Sequence, residues 1–209
     1  VSLAIRDFTL MTSFLGNDFL PHPPSLEDMS QAPEKLFQIY KELNLPLTKE
    51  DGIIWENLAK FFVKLGQIEP DLINHEANRT IEHPSRLYQA TSKSEEVANP
   101  EFNSASFSLQ PQTVLRRRVD FGSFRSYWYR YALRPGTLGP VKLLYLENPQ
   151  DLNAFQPSLS LISMMTQEYL KMINWVYCYY SYGNKYIRQT WHYPFYFAPL
   201  FVDTGAILT

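Results

Sequence analysis

The sequence predicts a mainly α-helical protein, and three observations lead to that prediction. First, apolar residues recur at steps of three and four in several segments, which is the spacing of one face of a helix. Second, glycines and prolines stand at the ends of these segments, where helices stop and start. Third, the alternation of apolar and polar residues that marks a half-buried strand is scarce along the 209 residues.

The first predicted helix opens the chain. Apolar residues recur at helical steps over residues 3–15. Gly16 stops this helix, and three prolines within residues 21–24 cannot continue it, because proline lacks the backbone N–H that a helix needs. The pattern begins at Val1 without a cap, so we interpret the chain as a fragment whose upstream part is absent.

Two more helices are predicted before the middle of the chain. One spans residues 34–44 and follows Pro33, a residue suited to the first turn of a helix. The other spans residues 51–66 and carries the most regular apolar stripe in the sequence. Gly66 stands where a helix usually ends.

A polar segment then divides the chain into halves. Residues 69–115 are rich in Asn, Ser, Thr, Glu, Gln and Pro, which predicts a linker or irregular loop, with no regular structure over 70–112. Two helices are predicted beyond it, over residues 118–132 and 160–182. The predicted parts of the chain are therefore residues 1–68, 69–115 and 116–209.

Composition limits the classes of function. Apolar residues make up 45% of the chain and aromatic residues 15%, which is typical of a globular protein. The formal net charge of −2 does not indicate a general nucleic-acid binder, so any basic surface must be local. The single cysteine, Cys178, excludes an internal disulfide framework and favours a reducing compartment, cytoplasmic or nuclear. No segment has the roughly 18 uninterrupted apolar residues of a membrane span, so no membrane partner is expected.

One carboxylate stands in the most specific segment of the sequence. Asp18 follows Gly16 and Asn17 at the end of an apolar helix, just before the proline-rich run. Hard divalent ions such as Mg²⁺ prefer carboxylate oxygens, and two ions about 4 Å apart can hold the attacking and leaving oxygens in phosphodiester hydrolysis. An Asp in such a turn is also a common cap of the local backbone. The residues alone leave both interpretations open.

Three ordered segments resemble one protein family. Residues 16–22 read Gly-Asn-Asp-Phe-Leu-Pro-His and are followed by Pro-Ser-Leu-Glu at 24–27, which resembles the signature of Xrn-type 5′-to-3′ exoribonucleases. The aromatic runs at 169–183 and 191–199 resemble the family's pattern Y-x5-WV-x2-YY-x2-G followed by W-x-YP-x3-AP. Residues 128–131, Trp-Tyr-Arg-Tyr, resemble an aromatic-basic segment that lies between them in the family.

The resemblance implies an activity and a metal cofactor. Members of this family are similar to the PIN and flap-endonuclease class, in which a cluster of acidic residues holds divalent ions, Mg²⁺ or Mn²⁺. They release nucleotides one at a time from single-stranded RNA that bears a 5′ monophosphate. Asp18 matches the aspartate of the family's Gly-Asn-Asp motif, so the resemblance implies that it is a metal ligand and a catalytic residue.

The resemblance also implies which further region this chain needs to form an active nuclease. Residues 1–68 would contain the end of a nuclease core and the first helices, and residues 116–209 would form an aromatic-rich helical part. This helical domain would pack against an α/β core like that of PIN and flap nucleases. The family's N-terminal nuclease region, the expected partner, supplies most of the acidic cluster and the pocket for the 5′ phosphate. The chain alone is therefore not expected to cut RNA.

Six side chains are candidates for contact with RNA. Between residues 116 and 134, six arginines stand against one acidic residue and alternate with aromatic residues. Arginines along phosphates and rings under bases would suit single-stranded RNA. The alternative is that the rings belong to the core and the arginines to a solvated face. Two later tryptophans and a histidine join the set, because the family builds its RNA entry channel partly from that region. The candidates are Arg125, Trp128, Arg130, Trp175, Trp191 and His192.

The sequence departs from the family pattern in places and leaves other functions open. Residues 184–190 contain none of the tryptophans usual in that interval, and Tyr196 replaces a histidine. These differences predict a divergent member of the family. One alternative function is an Xrn-like RNA-binding or scaffolding module that has lost catalysis. A general helical interaction domain would require all three segment matches to be coincidences.

Overall fold

The computed structural model describes residues 3–82, 119–133 and 157–209, and this part of the chain is mainly helical, as predicted. A short antiparallel hairpin pairs Thr48 with Ile53. The described helices are α1 (Leu3–Ser13), α2 (Ala32–Leu43), α3 (Trp55–Glu82), α4 (Phe121–Ala132), α5 (Leu159–Tyr182) and α6 (Phe201–Leu208), with strands β1 (Thr48–Lys49) and β2 (Gly52–Ile53) before α3 and a 3₁₀ turn (Asn184–Tyr186) after α5.

Local signals place the ends of three helices close to their predicted bounds. Helix α2 ends at Asn44, whose left-handed backbone (φ 47°) lets its N–H donate to the carbonyl of Tyr40. The side chain of Asp120 caps α4, and that of Ser158 caps α5, each accepting a backbone N–H three residues later. Gly183, with φ 83°, ends α5. Among the described helices, none is long and apolar enough to cross a membrane.

Helix α3 differs from its predicted bounds at both ends. It begins at Trp55, because residues 51–54 belong to the hairpin and the turn after it, and it runs to Glu82 with Pro70 inside it. The prediction that Gly66 ends the helix is wrong. So is the irregular structure predicted for 70–82, whereas residues 83–112 lie outside the described ranges.

Close packing against α6 explains the glycine inside α3. A Cβ atom on Gly66 would stand 2.8 Å from the Cα of Val202, so only glycine lets the two backbones approach this closely. Gly205 on α6 meets the backbone of α3 in the same way, with its Cβ position 3.0 Å from the nitrogen of Val63. The glycine is therefore a packing residue rather than a helix stop.

The core joins the two halves of the chain through aromatic rings. Phe62 of α3 stacks on Phe201 of α6, with ring centroids 5.8 Å apart, and Phe14, just after α1, packs against Phe62 at 5.0 Å. Tyr129 of α4 and Tyr169 of α5 are fully buried in the same core. The segment that follows α1 is thus fixed by a core to which all five other described helices contribute.

A buried carboxylate ties α3 to the start of α6. Glu69 is 0% exposed, and its Oε1 accepts hydrogen bonds from the N–H of Phe201 (2.9 Å) and the hydroxyl of Ser25 (3.1 Å). Its Oε2 accepts from the N–H of Val202 (2.8 Å). These N–H groups lie in the first turn of α6, where no carbonyl of the helix can reach them, and Leu200 offers no capping side chain. Glu69 therefore caps α6 from another helix.

Candidate functional site

The turn after α1 fixes the backbone on which Asp18 stands. The Oδ1 of Asn17 accepts hydrogen bonds from the N–H groups of Phe19 (2.9 Å) and Leu20 (3.1 Å). Gly16 has φ +90°, and a Cβ there would lie 2.8 Å from the ring of His22. The residue that caps this turn is therefore Asn17, which leaves the neighbouring carboxylate outside the local hydrogen bonding.

Asp18 itself lies on the surface of the turn. The residue is exposed, and its carboxylate forms no hydrogen bond or ion pair within the part of the chain that the structure describes. Both oxygens can accept from a ligand without breaking an existing contact. This is the placement that a metal ligand needs, although no second carboxylate of the described residues stands with Asp18 in a cluster of three potential ligands.

Phe19 places Asp18 beside an aromatic surface on α5. The ring of Phe19 contacts Trp175 (centroids 5.1 Å apart) and Tyr179 (5.3 Å). Trp175 and Tyr179 stack on each other at 5.5 Å with an interplanar angle of 12°. The Nε1–H of Trp175 donates to the carbonyl of Arg188 at 3.0 Å, which fixes the indole. We call Phe19, Trp175 and Tyr179 the aromatic cluster.

A groove of about 390 Å³ continues from the aromatic cluster. Trp175 and Trp191 line it, together with two cations, Lys171 and Arg188. Both cationic residues are exposed, and Lys171 pairs with Glu168. Aromatic rings next to cations can bind a nucleic-acid strand, because rings stack on bases and cations pair with phosphates. The structure thus brings two predicted RNA-contacting residues, Trp175 and Trp191, to one groove, and Trp175 also contacts Phe19, the residue after Asp18.

His192 follows Trp191 in the chain and is exposed. It is not among the residues that line the groove, within the described ranges. Its predicted contact with RNA stays a prediction.

The predicted residues on α4 have other surroundings. The ring of Trp128 is 8% exposed, and its Nε1–H donates to the carbonyl of Ala198 at 3.1 Å. Arg125 forms a two-point ion pair with Asp203 of α6, at 2.6 Å from Nη2 and 3.1 Å from Nε, and the hydroxyl of Tyr129 donates to the same carboxylate at 2.8 Å. Trp128 and Arg125 therefore join α4 to α6 and the segment before it.

Arg130 is the third candidate residue on α4. Unlike Arg125 and Trp128, it does not join α4 to another described element. It is partly exposed, and its Nε is buried with no hydrogen-bond partner in the part of the chain that the structure describes. The ring of Trp128 belongs to the core, as the alternative interpretation of this segment expected. The contact of Arg130 with RNA stays a prediction.

Sequence reasoning missed four residues of this surface. Phe19 lies inside the motif, but its apolar ring gives no signal of metal binding, unlike the carboxylate of the residue before it. On α5, Lys171 lies four residues before Trp175 and Tyr179 lies four residues after it. The helical repeat therefore places all three residues on one face. Arg188 lies in the exposed segment after α5, and no spacing rule connects it to the groove.

The comparisons with known proteins show the family of the chain. A family model described as the Xrn1 helical domain matches residues 1–120, which is more than half of the chain. A 5′-3′ exoribonuclease 2 homolog from Caenorhabditis elegans is 39% identical over 77 residues, covering 34% of this chain and 8% of the relative. The homolog from Drosophila melanogaster is 30% identical over 87 residues (40% and 10%), and 5′-3′ exoribonuclease 2 from Arabidopsis thaliana is 34% identical over 77 (35% and 8%).

Each match covers a tenth or less of the relative's own length. The family match covers α1, the Asp18 turn, α2 and all of α3. These are the elements that hold Asp18 in place. The chain belongs to the Xrn1 helical domain family.

Proposed function

We propose that the chain is the helical part of a 5′-to-3′ exoribonuclease that hydrolyses 5′-monophosphorylated RNA with the help of divalent metal ions and releases mononucleotides. Family membership and relatives named as 5′-3′ exoribonucleases support the general activity. The observation that carries the finer proposal is the exposed carboxylate of Asp18, held by a fixed turn beside the aromatic cluster.

Asp18 is the residue of this surface that would hold Mg²⁺ or Mn²⁺. Its oxygens are the hard donors that these ions prefer, and no hydrogen bond competes for them among the described residues. A bound ion would polarise the phosphate and lower the pKa of a bound water. One carboxylate does not complete such a site, since each ion takes one or two anionic ligands besides waters. The remaining ligands would come from the nuclease region that the family resemblance implies.

The groove beside Asp18 would guide the RNA strand. Trp175 and Trp191 offer ring faces to bases, which contribute about 1–3 kcal/mol per stacked base. Lys171 and Arg188 offer charge to phosphates. The hydrogen bond from the Trp175 indole to the carbonyl of Arg188 fixes the ring relative to the backbone from which the cationic side chain extends. The strand would thereby reach Asp18 along a preformed surface.

The test is the Asp18→Asn substitution in the complete protein that contains this chain. Asparagine has nearly the same shape but no charge, so we expect RNA binding to persist while mononucleotide release falls about 100-fold or more, the range of a lost metal contact. Asp51→Asn is the matched control, because Asp51 is an exposed carboxylate in the hairpin turn. Equal rates for the wild type and Asp18→Asn would refute the assignment of Asp18.

The second candidate function is an RNA-binding or scaffolding module without catalysis. The groove favours it, because aromatic rings and cations can hold RNA whether or not Asp18 binds a metal. Substituting Trp175 by Ala would then weaken binding of single-stranded RNA by the complete protein, and no variant would release nucleotides. Metal-dependent release by the wild type would exclude this alternative.

A further inference from the structure

Three side chains with metal-binding atoms meet on another part of the molecule, where the segment before α2 packs against α3. Asp28, His75 and Glu76 each place one ligand atom within 4.8 Å of the other two. All three residues line a cavity of about 250 Å³. We propose that Asp28, His75 and Glu76 form a binding site for a divalent transition metal ion, with Zn²⁺ as the preferred ion.

The donor set favours Zn²⁺ over Mg²⁺. It combines one imidazole nitrogen with two carboxylate oxygens, a mixture common around Zn²⁺, whereas Mg²⁺ takes oxygen ligands almost alone. Zinc bonds to such atoms measure about 2.0–2.2 Å, so the ligand atoms around one ion lie closer together than 4.8 Å. His75 is exposed and forms no hydrogen bond or ion pair among the described residues, so its ring can turn inward to close that gap.

Neighbouring groups hold the two carboxylates in place. The Oδ1 of Asp28 accepts from the N–H of Ser30 at 3.1 Å and from the hydroxyl of Ser30. The Oε1 of Glu76 accepts from the N–H of Asp28 at 3.0 Å. Such outer contacts orient metal ligands and raise affinity. Asp28 and Glu76 also have further interactions, so a bound ion would share their carboxylates with other groups.

The ligands come from two separate parts of the chain. His75 and Glu76 are consecutive residues of α3, and Asp28 lies 48 residues before Glu76. Three protein ligands leave the cavity side open to a water as the fourth, which is a common arrangement for Zn²⁺. A bound ion would therefore link the segment that follows the Asp18 turn to α3, and it would stabilise the folded state by an amount that rises with the logarithm of the free Zn²⁺ concentration above the Kd.

The test is a calorimetric titration of the metal-free 209-residue chain with Zn²⁺ alone. The melting temperature is measured in parallel, with and without Zn²⁺. We expect one Zn²⁺ per chain, a higher melting temperature with Zn²⁺ than without it, and no displacement by Mg²⁺. His75→Ala should weaken binding at least tenfold and abolish the rise in melting temperature. Because His75 is exposed, this variant should match the metal-free wild type in its circular dichroism.

Further variants separate this site from other metal ligands. Ser30→Ala removes an outer contact rather than a ligand and should weaken Zn²⁺ binding by about 10–100-fold. Asp51→Asn should bind Zn²⁺ like the wild type, because Asp51 is an exposed carboxylate outside this cluster. The proposal is overturned if the wild type binds no Zn²⁺ or if His75→Ala binds it equally well. Neither outcome bears on the role of Asp18.

Discussion

At the scale of single residues, two carboxylates of this chain have opposite surroundings. Asp18 is exposed and forms no hydrogen bond among the described residues, because Asn17 caps the turn in its place. Glu69 is buried and accepts three hydrogen bonds. Water stabilises the charge of the first and backbone dipoles that of the second. One carboxylate is thus available to a ligand, while the other holds the fold together.

Glu69 predicts a pH dependence of stability. Burial raises its pKa from 4.5 to about 7, outweighing the hydrogen bonds from Phe201, Val202 and Ser25, which act in the opposite direction. Because this pKa is higher in the folded state, the folded protein binds the proton more tightly than the unfolded chain. The contribution to stability is therefore complete below about pH 4.5 and is lost as the pH rises through about 7.

The expected size of this pH effect on stability follows from the shift in the pKa of Glu69. At 1.36 kcal/mol per unit, the Glu69 contribution to the free energy of unfolding should fall by about 3 kcal/mol between pH 5 and pH 8. Urea denaturation of the wild type and of Glu69→Gln across this range measures it, because glutamine does not titrate. Parallel pH profiles for the two proteins would show that Glu69 keeps an ordinary pKa.

The sequence made Asp18 a candidate metal ligand, which stays a prediction, and it did not predict the surroundings of this residue. The motif predicted the position, since a Gly-Asn-Asp turn before prolines is specific. It did not predict that Phe19 would touch Trp175 and Tyr179, because these rings lie on a helix far along the chain. Arg125 and Trp128 have the composition of an RNA-binding surface, yet their contacts are with Asp203 and Ala198. Composition does not reveal which face of a helix is covered.

At the scale of elements, the crossing of α3 and α6 depends on glycine. We expect Gly66→Ala to lower the free energy of unfolding by about 1–3 kcal/mol, the usual cost of overpacking, although alanine is the better helix former. The added Cβ would stand 2.8 Å from the Cα of Val202, and backbone cannot move aside as a side chain can. Chemical denaturation checks the change.

Gly122 provides the matched control for this substitution. It also lies in a helix, α4, but among the described residues a Cβ there would meet only Asp120 Oδ2, at 3.7 Å. Gly122→Ala should leave stability unchanged or raise it by up to about 1 kcal/mol. If both variants lose stability equally, helix packing is not the reason for Gly66.

The bounds of the helices show which local sequence signals suffice to predict a helix end. The caps that the structure shows at Asn44, Asp120 and Ser158 act within one turn of the chain, and the helix ends beside them lie close to the predicted bounds. Gly66 and Pro70 carry the local signals of a helix end, yet α3 continues through both. Packing against α6 explains the glycine, and that contact involves residues that no local window includes.

At the scale of the whole molecule, the single carboxylate at the candidate site limits activity. Asp18 stands in no cluster of potential ligands within the described residues, and two divalent ions need several carboxylates. We therefore expect the 209-residue chain alone to release no nucleotides from 5′-monophosphorylated RNA in Mg²⁺ or Mn²⁺, and the complete protein to release them. Processive release by the chain alone would place the whole active site within it.

The contact between α3 and α6 also has a consequence for synthesis on the ribosome. Glu69 and its partner Phe201 are separated by 132 residues. At about 5–20 residues per second, α3 waits roughly 7–26 seconds for the helix that covers it. During that interval the rings of Phe61 and Phe62 lack part of their cover and can bind a chaperone or a neighbouring nascent chain. The synthesis of α6 is therefore the step that completes this part of the core.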